Sequence, residues 1–241
     1  MSEKLKIYVG YDSREDIAWQ VCRHSLLRHS SGDLEIYPLK LAFLREVGLY
    51  TRSPDQASTE FSLTRFLTPY LAAHDGWTIF VDCDFLFTTD IYNVLEGKTR
   101  DKAVYVVKHD YVPANAVKMD GQLQTKYPRK NWSSFILFNN AHPDVKALTP
   151  AVVNHESPAF LHRFQWLKDE SIGEIPLAWN FLEGEYSKPQ EIPNAIHYTN
   201  GGPWFIEWRN VDYADLWCAE RDMYLDAVGY QVDEKNQLVR G

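Results

Sequence analysis

Two aspartates one residue apart, Asp82 and Asp84, close the short apolar run Trp77-Thr78-Ile79-Phe80-Val81, and Phe85-Leu86-Phe87 follows at once. In an extended chain, residues two apart point to the same face, so both carboxylates can meet one cation. Mg²⁺ and Mn²⁺ favour hard oxygen ligands in octahedral geometry and keep positions open for substrate phosphates. An Asp-x-Asp pair also arises by chance, or as two strand-end acids that cap a turn. The apolar flanks favour the metal, because carboxylates so placed are hard to explain as free surface.

The surrounding elements must carry these two acids to a usable edge. Leu5 to Gly10 reads as a strand that breaks at Gly10, and Asp12 and Ser13 open a helix over about Arg14 to His29. Leu34 to Leu39 reads as a second strand, and this strand, helix, strand order predicts a parallel sheet in an α/β fold. The irregular stretch from Leu44 to Ala57 reads as a surface loop, and Ser62 to His74 as a helix closed by Asp75-Gly76. Trp77 to Val81 has the composition of a central buried strand, and open α/β sheets bind ligands at the carboxyl ends of their strands, which is where Asp82 falls. Ala103 to Val107 and Phe135 to Phe138 are further strands, with a loop over Val112 to Pro128 between them. Helices are expected over Pro158 to Leu167 and Tyr213 to Val228, and Ile172 to Phe181 shows no pattern.

The chain has 241 residues, 45% of them hydrophobic, enough for one large core, and no repeat or linker divides it. We therefore expect a single domain over residues 1–241, with a mainly parallel central sheet flanked by helices. Acidic residues outnumber basic ones 33 to 25, which argues against nucleic acid as a partner and requires any anionic ligand to be held locally or through a metal. Three widely separated cysteines, Cys22, Cys83 and Cys218, provide neither a disulfide framework nor thiolate metal spacing. With no apolar leader and no apolar run of transmembrane length, the expected location is the cytoplasm. Aromatic residues make up 14% of the chain, a composition that also serves to stack on sugars and bases.

These motifs, in this order from Ile7 to Trp204, resemble the family-8-like GT-A glycosyltransferases, the glycogenin and bacterial lipopolysaccharide glycosyltransferase type. The resemblance implies a GT-A, Rossmann-like fold. Val9-Gly10-Tyr11-Asp12 stands where that family cradles the nucleotide, so Val9, Tyr11 and Asp12 are expected at the donor. Arg65, in Ser62-Leu63-Thr64-Arg65-Phe66-Leu67-Thr68-Pro69-Tyr70, matches an arginine that faces the donor, with an exposed helix arginine as the other reading. Val81-Asp82-Cys83-Asp84-Phe85-Leu86 looks like the metal motif, in which both aspartates touch the cation and the first approaches the ribose.

Asn131-Trp132-Ser133-Ser134 is similar to a stretch that lines the donor sugar, although its usual glycine is absent; it puts Asn131, Ser133 and Ser134 among the donor residues. Asp169-Glu170, followed by Pro176-Leu177-Ala178-Trp179-Asn180-Phe181, resembles an Asp-Gln pair ahead of a Trp-Asn segment, which would set Asp169 or Glu170 near the anomeric carbon. Two solvated acids are the competing reading. His197-Tyr198-Thr199-Asn200-Gly201-Gly202-Pro203-Trp204 looks like the family's His-Tyr-x-Gly-x-x-Lys-Pro-Trp signature, in which the histidine completes the metal shell and Asn200, Gly201 and Gly202 adjoin the donor. The motif is one residue shorter here and lacks the phosphate-binding lysine. Amides of Gly201 and Gly202, or Arg209, are the substitutes the sequence offers.

The resemblance thus implies a Mn²⁺- or Mg²⁺-dependent hexosyltransferase. It would move sugar from a nucleotide-diphosphate donor, UDP-sugar above all, to a carbohydrate or other hydroxyl acceptor with retention, and a homo-oligomer stays open. Trp204, Phe205 and Trp208 offer either a sugar-stacking platform or packing. Two other classes compete: a nucleotidyltransferase, disfavoured by the single glycine in Gly10-Tyr11-Asp12-Ser13-Arg14, and a degenerate nucleotide-sugar or glycan binder.

Overall fold

A computed structural model of the protein describes residues 4–53, 59–110, 128–232 and 238–240. The strands are β1 (Leu5–Gly10), β2 (Leu34–Leu39), β3 (Trp77–Val81), β4 (Phe85–Phe87), β5 (Val104–Val106), β6 (Phe135–Asn139), β7 (Ile172–Glu174), β8 (Phe181–Leu182), β9 (Ala195–His197), β10 (Tyr230–Val232) and β11 (Leu238–Arg240). The helices are α1 (Asp16–His29), α2 (Leu41–Glu46), α3 (Thr68–Leu71), α4 (Pro143–Lys146), α5 (Pro150–His155), α6 (Pro158–His162) and α7 (Ala214–Ala227).

Six strands form the central sheet in the order β2-β1-β3-β6-β5-β7. Pairs β1–β2, β1–β3 and β5–β7 are parallel, and β6 runs against both its neighbours, so the sheet is mainly parallel with one reversed strand. Ile79, Phe80 and Val81 of β3 and Phe135 to Phe138 of β6 are fully buried, as strands covered on both faces require. A second sheet, β4-β9-β8, is built from segments the sequence showed only as an apolar Phe-Leu-Phe run, a short strand-like run into His197 and the end of the patternless stretch. Three-residue strands are too short for any periodicity to register.

Several expected boundaries move. The predicted loop over Leu44 to Ala57 begins inside α2, because Leu44 turns into the core at 2% exposure; residues 54–58 lie outside the described part. The expected helix over Ser62 to His74 is a 3-10 turn, Thr64–Leu67, followed by the single turn of α3. Pro69 has no N–H to donate to the carbonyl of Arg65, so one continuous helix cannot run through it. The helix expected to reach Leu167 stops at His162, and Phe164 takes a left-handed backbone (φ 51°) with its ring buried against Phe66. The loop expected over Val112 to Pro128 lies outside the described residues except for Pro128.

α1 and α7 pack together through Glu220, only 1% exposed, whose carboxylate accepts from Arg28 Nη2 at 2.6 Å and lies 2.6 Å from His24 Nδ1. Among the described residues, no helix is long and apolar enough to cross a membrane.

Candidate metal centre and active site

The extended chain assumed from sequence gives way to a turn after β3, yet burial still alternates along it. Cys83 is buried, and Asp82 and Asp84 on either side of it are partly exposed on the other face. The Asp82 N–H donates to the carbonyl of Ser134 at 3.0 Å, which holds the turn against the start of β6. His197 arrives by the small sheet. It ends β9 opposite Phe85 in the antiparallel register, and Asp84 immediately precedes Phe85. Tyr198 N–H donates to Asp84 O at 3.0 Å and locks that register. Ligand atoms of Asp82, Asp84 and His197 all fall within 4.8 Å of one another, so the three residues expected from sequence to hold a cation are brought together. Two carboxylates and an imidazole fit Mn²⁺ or Mg²⁺, which accept oxygen and, for Mn²⁺, nitrogen donors.

Arg65 lies behind this group, 5% exposed. Its Nη1 is 2.9 Å from Asp82 Oδ1 and donates to Ser133 O at 2.7 Å, while Nε donates to Ser62 O at 2.9 Å. The guanidinium packs against the paired rings of Phe61 and Phe80, at 5.3 and 4.9 Å from their centroids. It is a strut beneath Asp82, which excludes the exposed-helix reading.

Asn180 was legible only as part of the Trp-Asn segment. It precedes β8, is fully buried, and connects His197 Nδ1 (2.8 Å to Oδ1) to Ser134 Oγ (2.9 Å from Nδ2). Glu15 had no sequence signal. It sits at the start of α1, 3% exposed, and burial, reinforced by the carboxylates of Asp84, Asp12 and Asp82, pushes its pKa up to about 8. His109 stacks on Tyr186, and burial, with His197 close by, pushes its pKa down to about 3.

The first loop is tightly tied. Val9 is a core residue between Val81 and Pro38. Asp12 is fully buried and chelates Arg14 Nε and Nη2 at 2.9 and 2.8 Å. Burial alone would raise its pKa, but these bonds and the N–H groups of Arg14 and Glu60 outweigh that and hold it low. Tyr11 donates to Asp16 Oδ1 at 2.8 Å and carries Lys40 over its ring at 4.5 Å.

On the opposite side, Asn131 takes a left-handed backbone (φ 61°), Ser133 Oγ pairs with His162 Nδ1 at 2.8 Å, and Ser134 Oγ donates to Asn131 O at 2.7 Å. Asn200, 1% exposed, donates to Glu185 Oε1 at 3.0 Å. The Gly201 N–H goes to Tyr198 O at 2.9 Å and is thereby engaged inside the turn instead of pointing at a ligand. Gly202 must be glycine, since a Cβ there would lie 1.9 Å from the Trp204 ring. Trp204 itself packs on Tyr198, Phe205 and Trp217, the packing alternative for that aromatic group. Asp169 is largely in solvent, its carboxylate 2.5 Å from Arg129 Nη2, and Glu170 is exposed; neither belongs to the group around His197.

No protein-family model matches the chain. Protein CDI of Arabidopsis thaliana is 52% identical over 230 residues, a match spanning 92% of this chain and 89% of that protein. The chain belongs to the Protein CDI family. Among solved structures, the bifunctional glycosyltransferase WbbM superposes with a TM-score of 0.66 at 16% identity over 92% of the chain, and GlyE of Streptococcus pneumoniae TIGR4 with 0.61 at 13% over 91%. LgtC, a galactosyltransferase solved with donor and acceptor sugar analogues, gives 0.56 at 10% over 90% of this chain and 95% of its own. The chain spans 50% of WbbM and 60% of GlyE. This member of the Protein CDI family therefore has the fold of the GT-A glycosyltransferases.

Proposed function

We propose that this protein is a metal-dependent glycosyltransferase of the family-8-like type, moving a hexose from a UDP-sugar to a hydroxyl acceptor with retention. The observation that carries the reading is the convergence of Asp82, Asp84 and His197 within 4.8 Å, at the carboxyl end of β3 in a GT-A fold. Those three side chains would hold a divalent cation, Mn²⁺ or Mg²⁺, whose chemistry is to neutralise charge on a departing diphosphate without a proton transfer. Arg65 pairs with Asp82 and aims it, and the buried floor of Phe80, Phe85 and Phe135 excludes water from behind.

The donor's nucleotide is assigned to the loop that carries Val9, Tyr11 and Asp12, and its sugar to the side lined by Asn131 and Ser133, with Ser134 behind them. The diphosphate is assigned to the turn that carries Asn200, Gly201 and Gly202. Of the two acids considered for the anomeric carbon, Asp169 is tied by Arg129 to the loop carrying Asn131, and it is our candidate over Glu170. The whole chain is assigned to this one domain, and the free thiols Cys22, Cys83 and Cys218 support a reducing, cytoplasmic setting.

Calorimetry with UDP and UDP-sugars, with and without Mn²⁺, tests this, followed by hydrolysis and transfer assays over a donor panel. We expect binding to require the metal and Asp84→Ala to lower it at least tenfold. Binding that ignores both Mn²⁺ and Asp84→Ala overturns the metal reading, and metal-dependent binding with no turnover on any acceptor would favour a nucleotide-sugar binder.

A further inference from the structure

We infer that Asn180 is a positioning residue that, through Ser134, fixes His197 in the tautomer with its proton on Nδ1 and a bare lone pair on Nε2.

The direction of each hydrogen bond follows from the chemistry of the groups. Ser134 has one hydroxyl proton. Its Oγ lies 2.7 Å from the backbone carbonyl of Asn131, which can only accept, so the proton points there. Towards Asn180, 2.9 Å away, Oγ must then offer a lone pair, and the amide atom facing it is the NH₂ group. That orientation turns the amide oxygen to His197 Nδ1 at 2.8 Å. An amide oxygen can only accept, so Nδ1 carries the ring proton. In a neutral imidazole, Nε2 is then unprotonated.

All three side chains are buried: Asn180 is fully enclosed, His197 is 1% exposed and Ser134 3%. Their enclosure leaves the chain to these groups alone, and reversing the Asn180 amide would require Ser134 to turn its proton from the Asn131 carbonyl to Asn180, leaving that carbonyl the longer Ser134 N–H contact at 3.3 Å in place of the 2.7 Å hydroxyl bond. The ring is also clamped from the side, stacked on Phe85 at 4.3 Å between centroids. Nε2 thus points at Asp84 Oδ1, 3.3 Å away. A lone pair faces a carboxylate oxygen at that distance, an arrangement that a shared cation resolves. Metal-bound histidines are usually held this way by an acceptor on the other ring nitrogen.

Ser134, expected among the donor-sugar residues, has its proton committed to Asn131 and a lone pair committed to Asn180. It belongs to the support of the metal histidine, and it couples the Asn131 turn to that histidine.

The test needs no donor and no turnover, so its failure is distinguishable from failure of the transferase reading. Two-bond ¹H–¹⁵N correlation spectra of ¹⁵N-histidine-labelled, metal-free protein, at a pH where imidazole is neutral, report the tautomer of each ring; His197→Gln assigns the signals. His197 is expected to show a protonated Nδ1 and a bare Nε2. Asn180→Asp keeps an acceptor at Nδ1 and should keep the pattern, whereas Asn180→Leu should move His197 towards the Nε2–H form. Mn²⁺ affinity, read by calorimetry, should fall about 10- to 100-fold in Asn180→Leu and change far less in Asn180→Asp. An Nε2–H ring in the unsubstituted protein overturns the inference, and so does an unchanged tautomer in folded Asn180→Leu. Should Asn180→Leu fail to fold, the unsubstituted spectrum and Asn180→Asp still decide it.

Discussion

The imidazole of His197 lies nearly flat on the ring of Phe85, with centroids 4.3 Å apart and planes inclined by 18°, because the two residues are directly paired in the β4–β9 register. Cross-strand neighbours on one face of an antiparallel pair place their side chains in contact. Phe85 in turn touches Phe87 and Phe135, so the candidate metal histidine is backed by the main core.

Replacing Phe85 with alanine therefore removes a fully buried ring and the platform under His197. A stability loss of about 3–5 kcal/mol is expected from transfer and cavity terms together, and Mn²⁺ affinity should fall as the imidazole gains freedom. Chemical denaturation and calorimetry read the two effects. A loss below about 1 kcal/mol would mean that the ring is not packed as described.

Arg65 makes three directed contacts at once, to Asp82, Ser133 O and Ser62 O, and packs against the rings of Phe61 and Phe80. A lysine has neither the planar fork nor the stacking surface. Arg65→Lys is expected to cost about 2 kcal/mol, and Arg65→Ala about 3–5 kcal/mol, because truncation leaves the Asp82 carboxylate without its buried counter-charge. Equal denaturation midpoints for Arg65→Lys and the unsubstituted protein would contradict this.

Glu15 sets a pH dependence of definite sign. Its folded pKa of about 8 lies above the unfolded value of 4.5, so between those limits the native state holds a proton that the unfolded chain releases. On this group's account stability is greatest at the acid end of that window and declines as pH rises through 8, when a buried carboxylate must ionise beside Asp84 and Asp12. Glu15→Gln has nothing to ionise. Its advantage in melting temperature over the unsubstituted, metal-free protein should be small near about pH 5 and grow towards about pH 9. Adding Mn²⁺ should narrow the gap, since a cation offsets the carboxylates that push Glu15 up. A gap that does not vary with pH would show that Glu15 is not the group responsible.

Much of this was written locally. β1, β2 and β3 were legible because their runs are five or six residues long, and the paired acids at 82 and 84 were legible as the end of β3, although the chain turns there instead of continuing extended. His197 could be matched by its motif, since the residues around it are contiguous. Other features had no local trace. The small sheet that sets His197 against Asp84 consists of strands of two or three residues, too short to carry a period. The work of Arg65 depends on backbone carbonyls at Ser62 and Ser133, and backbone carbonyls are the same in every sequence. Glu15 reads as an ordinary first-turn acid until the fold buries it beside three other carboxylates.

The sequence by itself determined which groups are available: two hard carboxylates at a strand end, an imidazole in a glycine-rich turn, and a buried strand to carry them. Only the tertiary structure decided how those groups are used, because a polar side chain's partners are set by register between segments far apart in the chain. Asn180 meets His197 and Ser134 only when β8 and β9 pair beside the start of β6, and the direction of a hydrogen bond exists only once both of its ends are in place.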